Sequence, residues 1–490
     1  MLELTSLNLQ KDEIGTLVIP VCEDKAIHTN PKLTALIKKA KQIKGFKGEK
    51  DDEVILYDLP DTNVSTMIFK GLGKLEDLES ESLRAMAGKM VGQGIKKDLP
   101  EIGFAVPSAK KIGKGTSDIL EAMLEGGFLG NHVFDKYKKE KKHKPVKEIH
   151  FFATADVAKR FQNLPDRVAT VCEGTLLARE WVTTPSNDKP PAQLAKSIVA
   201  KAEKAGLKAT VLDEKELKKL KCGSMLAVGA GSQNKPCMVL LEYRSKGAKK
   251  TVAFVGKGIT FDSGGINLKP GGSSRDMKCD MSGAAAVAGT LTAIAKLKPK
   301  VNVIGAMPLV ENMPSGSSYR PGDILKSHDG KTVEVGNTDA EGRLILIDAI
   351  SYVIKTYKPD TLIDLATLTG ACVAALGEKI AGVFSWDDEL ARAIVESGDK
   401  THERCWHLPL PKDYKKALKS EIADLSNTSS DLSGGGAITA ALFLSEFVED
   451  TKWAHIDIAG PAHFMKGSDY CGAGGTGFGV RLLCDVLDKL

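Results

Sequence analysis

From Thr251 onward, short apolar runs rich in β-branched residues alternate with longer alanine- or leucine-rich stretches, and this alternation is the tightest constraint on the fold. Thr251–Val255 reads as a strand, Ala284–Leu297 as a helix, Val301–Met307 as a strand, Leu344–Tyr357 as a helix and Thr361–Leu365 as a strand. Parallel strands need a crossover connection, usually a helix, so this order implies a largely parallel sheet with helices on both faces. Ligands bind such sheets beyond the carboxyl ends of the strands, which is where residues with chemistry are to be sought.

The first part of the chain has a smaller α/β pattern. Gly15–Pro20, Val54–Tyr57, Thr66–Lys70 and Ile149–Ala153 read as strands, with helix-like stretches at Lys32–Lys44 and Glu79–Gly92. Arg167–Trp181 has helical periodicity and ends at the proline-rich TTPSNDKPP, a suitable place for one domain to pass to the next. The expected architecture is therefore α/β in two domains: a smaller amino-terminal α/β domain over 1–160, a helical linker over 161–184, and a larger domain with a mainly parallel central sheet over 185–490.

Charge and cysteine usage narrow the setting. Lys+Arg number 68 against 63 Asp+Glu, and a net +5 over 490 residues implies neither a nucleic-acid nor a membrane partner. The one local exception is Asp135–Lys147, with seven lysines. It lacks arginine and carries a single aromatic, Tyr137, so it reads as a solvated loop rather than a nucleic-acid patch. Nine scattered cysteines without a CxxC pair indicate free thiols in a reducing compartment. The opening MLELTSLNLQKDE lacks the basic and then apolar pattern of a signal peptide, and no apolar run reaches the roughly 18 residues of a membrane span. A cytoplasmic location is expected.

The residues that can carry chemistry lie where the alternation places them. GKGITFDSGGINLKPGG follows the strand at 251–255 and reads as a glycine-rich loop bearing Lys257, Asp262 and Lys269. Asp280 precedes the alanine-rich helix, and Asp339 and Glu341 open the next one in VGNTDAEGRLILIDAI, with Arg343 close behind. Four carboxylates brought together repel one another unless protons or cations neutralise them, and bridging divalent metals are the common solution in hydrolases. Lys257 then serves as a counter-charge or, deprotonated, as an amine ligand.

Each of these residues also has a structural explanation. Thr338-x-x-Glu341 has the form of a capping box and taken alone reads as one; Asp262 suits a turn, Asp280 suits a helix amino terminus, and the lysines suit the surface. It is their conjunction at successive turns of one α/β domain that favours a metal centre. Other motifs fall away. GAGGTG at Gly472–Gly477 lacks the strand and the downstream chain of a dinucleotide-binding unit, and neither HExxH nor GxSxG occurs.

NTDAEGRL at Asn337–Leu344 resembles the signature of the leucyl aminopeptidases, the M17 family of dimetal exopeptidases. GKGITFDSGG, DMSGAAA and ATLTGA at Ala366–Ala371 stand in that family's order, and the likeness runs from about 170 to 490. It implies two divalent metal ions per subunit, Mn or Zn with Mg or Co as further options, and release of amino-terminal residues, preferably leucine or other apolar ones, by attack of a dimetal-bound hydroxide. By motif, Asp262 and Glu341 would bridge the metals, Lys257 and Asp280 would complete one site, and Asp339 the other. Lys269 would stabilise the developing oxyanion, and Arg343 would hold a bicarbonate acting as general base. Met277, Thr367, Leu368, Gly370 and the Ala459–Ala462 stretch correspond to the substrate pocket. Substrates would be peptides with a free amino terminus, and the assembly a homohexamer. The physics agrees in two respects: an oxyanion needs a fixed positive charge, and no histidine stands among these motifs to act as base. A DNA-binding regulator on the same scaffold, carried by the lysine run, is the alternative.

Overall fold

The computed structural model describes residues 1–429 and 432–490. They form two compact units, Met1–Cys172 with Lys466–Gly472, and Glu173–Met465 with Ala473–Leu490.

The first unit is built on strands β1 (Leu2–Ser6), β2 (Ile14–Val21), β3 (Glu53–Tyr57), β4 (Val64–Gly71), β5 (Glu101–Ala105) and β6 (Glu148–Ala153), in the order β1-β6-β5-β2-β4-β3. All neighbours run parallel except β3 against β4. Leu17, Val18 and Ile19 of β2 are wholly buried, as expected of a strand covered on both faces. The lysine-rich stretch has no regular structure, and residues 136–145 are exposed, in keeping with a solvated loop.

The second unit contains β7 (Lys208–Leu212), β8 (Cys237–Tyr243), β9 (Thr251–Gly256), β10 (Gly258–Asp262), β11 (Asn302–Asn312), β12 (Ile324–Lys326), β13 (Thr332–Glu334), β14 (Thr361–Ala366), β15 (Ala381–Phe384), β16 (Cys405–His407), β17 (Leu425–Ser426) and β18 (Lys452–Asp457). Nine of them make one sheet, ordered β16-β15-β18-β14-β9-β11-β8-β7, with β10 alongside β11. Its centre is parallel: β18, β14, β9, β11 and β10 all point one way. β7 and β8 close one end antiparallel, and β15 joins β18 antiparallel at the other. β12, β13 and β17 form a small separate sheet.

Two apolar cores flank the large sheet. The helix Ser282–Leu297 lies in one, buried at every residue from Ser282 to Leu291, and its run of alanines and glycines suits a helix pressed against the central strands. The helix Glu341–Tyr357 lies in the other, with Leu344, Ile345, Leu346 and Ile347 all fully buried. Both helices start earlier than their periodicity alone predicts, because Ser282 and Glu341 are polar residues in first-turn positions.

One expectation is corrected. Gly258–Asp262 is not loop but strand β10, parallel to β11 and interrupted by an irregularity between Ile259 and Phe261. Ile-Thr-Phe favours extended structure, and the flanking glycines mask it in a sequence pattern. No helix among the described residues is long and apolar enough to cross a membrane.

Candidate metal centre and cleft

The charged residues converge at the carboxyl ends of the central strands. Lys257 directly follows β9, Asp262 closes β10, Asp280 stands two residues before the helix Ser282–Leu297, and Glu341 is the first residue of its own helix. Lys257, Asp262, Asp280 and Glu341 are 3%, 2%, 4% and 1% exposed, so four ionisable groups leave water together and must answer one another.

They do so through two lysines. Lys257 Nζ lies 2.8 Å from both Asp280 Oδ1 and Glu341 Oε1 and donates to the Thr367 carbonyl at 2.8 Å. Lys269 Nζ lies 2.9 Å from Asp262 Oδ2 and 2.6 Å from Asp339 Oδ1. Asp262 Oδ1 accepts from Asn312 Nδ2 at 2.8 Å and from the Gly264 amide at 2.9 Å, while Thr367 Oγ1 donates to Asp280 Oδ1 at 2.7 Å. Gly264 has φ +89°, a left-handed conformation in which a side chain would also meet Asn267 O and Asp339.

Two lysines do not balance four carboxylates. Burial pushes the Asp280 carboxyl well above the usual carboxylate range against the opposing pull of Lys257, and the charges of Glu341 and Asp262 add to the rise. Burial and then Asp262 push Glu341 up as well. Burial works against the charge on Lys257, but Asp280, Glu341 and Asp262 outweigh it and raise the proton affinity of the amine. Oxygens of Asp262, Asp280 and Glu341 all lie within 4.8 Å of one another. Asp280 Oδ2 and Glu341 Oε2 are buried without a hydrogen-bond partner among the described residues. Crowded carboxylates with orphaned buried oxygens fit a divalent cation, so the residues present suit the group. A second acidic group, Glu101, Glu148 and His150 on the first unit's sheet, is only partly buried, and His150 already faces Glu3 and Glu148.

Arg343 is 8% exposed and donates from Nη1 to the Asn427 carbonyl at 2.6 Å. Its Nε is buried without a partner among the described residues, and burial, opposed by Glu341 and Asp457, brings its pKa down to about 10. An unpaired guanidinium edge at a cleft suits a small anion.

Of the residues singled out from the sequence, Lys257, Asp262, Lys269, Met277, Asp280, Asp339, Glu341, Arg343, Thr367, Leu368, Gly370 and Ala459 line one cleft of about 270 Å³, whereas Gly460, Pro461 and Ala462 of the Ala459–Ala462 stretch are not part of its lining. The capping box that Thr338-x-x-Glu341 suggests when taken alone does not form. The helix begins after Ala340, and Thr338 Oγ1 donates to the Gly264 carbonyl at 2.6 Å and accepts from the Asn267 amide at 2.8 Å. Thr338 therefore ties the turn bearing Asp339 to the turn beyond β10.

Several supporting residues escaped the sequence reading. Asn312, at the end of β11, also donates to the Thr338 carbonyl at 3.1 Å, and its place at a strand's carboxyl end was an available signal. Asp457, at the end of β18, accepts from the amides of Leu368 and Ala459 at 3.2 and 3.1 Å and from Thr369 Oγ1 at 2.7 Å, joining two walls of the cleft. Asn427 has no local signal at all.

Comparison with known proteins bears on the same residues. The profile described as the cytosol aminopeptidase family, catalytic domain, matches residues 176–484, and that of the family's N-terminal domain matches 20–141. The probable cytosol aminopeptidase of Clostridium perfringens (strain 13 / Type A) is 39% identical over 97% of this chain and 97% of its own length. That of Geobacter sp. (strain M21) is 39% identical over 100% of this chain and 99% of its own. Among solved structures, the bottromycin maturation enzyme BotP in complex with Mn is similar with a TM-score of 0.84 at 32% identity, covering 97% of this chain and 99% of that one.

Proposed function

The chain belongs to the cytosol aminopeptidase family of metal-dependent exopeptidases, and on that premise we propose that it releases amino-terminal residues, preferably leucine or other apolar residues, through a two-metal centre. The observation that carries the reading is the buried trio Asp262, Asp280 and Glu341, within 4.8 Å of one another and with two oxygens left unpaired.

In this reading Asp262 and Glu341 would be shared by two cations, Lys257, as a neutral amine, and Asp280 would complete one site, and Asp339 would complete the other. When bound, the pair would lower the pKa of a shared water and polarise the scissile carbonyl. Lys269, paired with Asp262 and Asp339, would stabilise the negative charge that develops on the carbonyl oxygen. Arg343 holds a bicarbonate on its free edge as general base, a role left open because no histidine is among the described residues lining the cleft. Met277, Thr367, Leu368, Gly370 and Ala459 receive the first side chain, and these mostly small or apolar groups favour leucine-like residues. Oxygen and amine donors suit Mn, Zn, Mg and Co alike, and Mn or Zn is the pair we put forward. A cytoplasmic homohexamer completes the proposal.

The test is hydrolysis of leucine p-nitroanilide by metal-stripped protein before and after addition of Mn²⁺ or Zn²⁺. Restored cleavage, lost in Asp280→Ala and with an amino-acetylated substrate, supports the reading. Full activity after exhaustive stripping, or none with any of the four metals, overturns it.

A further inference from the structure

Asn427 lies in none of the motifs, yet it is 0% exposed and commits its whole side chain to the loop that carries Asp339 and Glu341. Its Oδ1 accepts from the amides of Gly336 and Asn337 at 2.7 and 3.3 Å, and its Nδ2 donates to the carbonyls of Asn337 and Ala340 at 2.8 and 3.4 Å. Its backbone amide donates to the Glu334 carbonyl at 2.9 Å, and its own carbonyl receives Arg343 Nη1 at 2.6 Å.

The arrangement has a topological origin. β17 runs parallel to β13, pairing Leu425 with Val333 and Ser426 with Glu334. Beyond Glu334 the two main chains part, and the Asn427 side-chain amide continues the ladder in their place. Among short side chains only an asparagine amide offers a donor and an acceptor in one plane at this reach. Asn267 also holds this turn, through Thr338, but of the two it is Asn427 that also reaches Arg343.

We infer that Asn427 is a positioning residue that sets the spacing between the Asp339–Glu341 turn and the Arg343 guanidinium. The inference rests on the proposed function for what those residues do. One residue thereby fixes a metal-ligand turn by its side chain and the anion-holding arginine by its carbonyl, and any shift of Asn427 displaces both. Displacements of about 1 Å in such a constellation cost on the order of a hundredfold in rate.

The test uses the full-length protein, with Asn427→Asp, Asn427→Ser and a control, Thr332→Ala. Asn427→Asp preserves volume and the two accepted bonds but loses both donated ones and turns a charged oxygen toward the Asn337 and Ala340 carbonyls. Thr332→Ala loosens the same small sheet by removing the Thr332 hydroxyl, which donates to Asp424 Oδ2 at 2.8 Å and accepts from the Asp424 amide at 3.0 Å, without touching residues 336–340. In both Asn427 variants kcat for leucine p-nitroanilide is expected to fall about a hundredfold with KM within about threefold of wild type. Half-maximal bicarbonate activation should need about tenfold more bicarbonate, and electron paramagnetic resonance titration with Mn²⁺ alone should show one of two sites weakened about tenfold. Thr332→Ala should match wild type in all three. Folded Asn427 variants with wild-type kcat, bicarbonate response and Mn²⁺ binding overturn the inference, as does a Thr332→Ala protein that reproduces their defects. If wild type binds Mn²⁺ but cleaves nothing, the peptidase reading fails and the Mn²⁺ titration alone decides the role of Asn427.

Discussion

Gly342 packs so closely on Lys257 that a methyl group at its α-carbon would stand 2.5 Å from Lys257 Cε and 2.6 Å from Nζ. The glycine is thus the floor on which the lysine lies between Asp280 and Glu341. Only the far end of a flexible side chain opposes a larger residue, so Gly342→Ala should fold and instead push Nζ out of place. We expect bound metal, measured by mass spectrometry after gel filtration, to drop from two ions to one or none, with an unchanged circular dichroism spectrum. Retention of both ions would show that Lys257 is not held by this contact.

Asp280 is expected to be worth more to the loaded protein than to the metal-free one. Burial, Glu341 and Asp262 all disfavour its charge. A neutral isostere removes that repulsion while still accepting from Lys257 and Thr367. Metal-free Asp280→Asn should therefore melt at or above metal-free wild type. Mn²⁺ at about a hundred times its Kd should stabilise wild type by about 2.7 kcal/mol per site and the variant by clearly less. A metal-free variant several degrees less stable than wild type would contradict this account.

Much of the fold could be read from the chain because strands of a parallel sheet, buried on both faces, are written as mostly apolar runs, as at Val252–Val255 and, interrupted only by the buried Asp364, at Leu362–Ala366. β10 was hidden by the glycines around it. The letters Thr338-x-x-Glu341 support two physical solutions, and tertiary contacts decide between them: Thr338 is drawn to Gly264 and Asn267, some 71 to 74 residues away in sequence. Asp457 and Asn427 illustrate the general limit. Apart from the Ala459 amide next to Asp457, their partners lie about 84 to 93 residues distant, and nothing adjacent to either residue distinguishes it from a strand-end polar group. The proposed ligand residues cluster at turns that local pattern reveals; the residues that hold those turns in register do not.

The first unit carries a pH sensitivity of its own. His28 is 4% exposed, and burial lowers its pKa from 6.5 to about 4, against a hydrogen bond to the Pro20 carbonyl at 2.8 Å. The unfolded chain then binds a proton that the native chain refuses between pH 6.5 and about 4, so this contribution to stability is fully present above pH 6.5 and is lost as pH falls through that window. The shift corresponds to about 3 kcal/mol. Hydrogen exchange resolved over residues 1–172 should show protection falling from pH 7 to pH 4.5 more steeply in wild type than in His28→Gln. Parallel slopes would remove His28 as the cause.

Lys189 should matter to the cleft without touching it. The helix Leu164–Thr183 ends with carbonyls that have no partner within the helix, and Lys189 Nζ caps two of them, Trp181 and Val182, at 2.7 and 2.9 Å. Its third bond, at 2.7 Å, goes to the carbonyl of Lys278, in the short turn Met277–Cys279 that leads into Asp280. The side chain is 2% exposed, so replacing it leaves three carbonyls with no water to turn to. Lys189→Met, which keeps the apolar stem, should cost about 3 kcal/mol in urea unfolding followed by tryptophan fluorescence. Because Met277 and Asp280 flank the released carbonyl on either side, the same substitution should also weaken Mn²⁺ binding. A variant less stable but with wild-type Mn²⁺ affinity would confine Lys189 to capping the helix, and one as stable as wild type would deny it both roles.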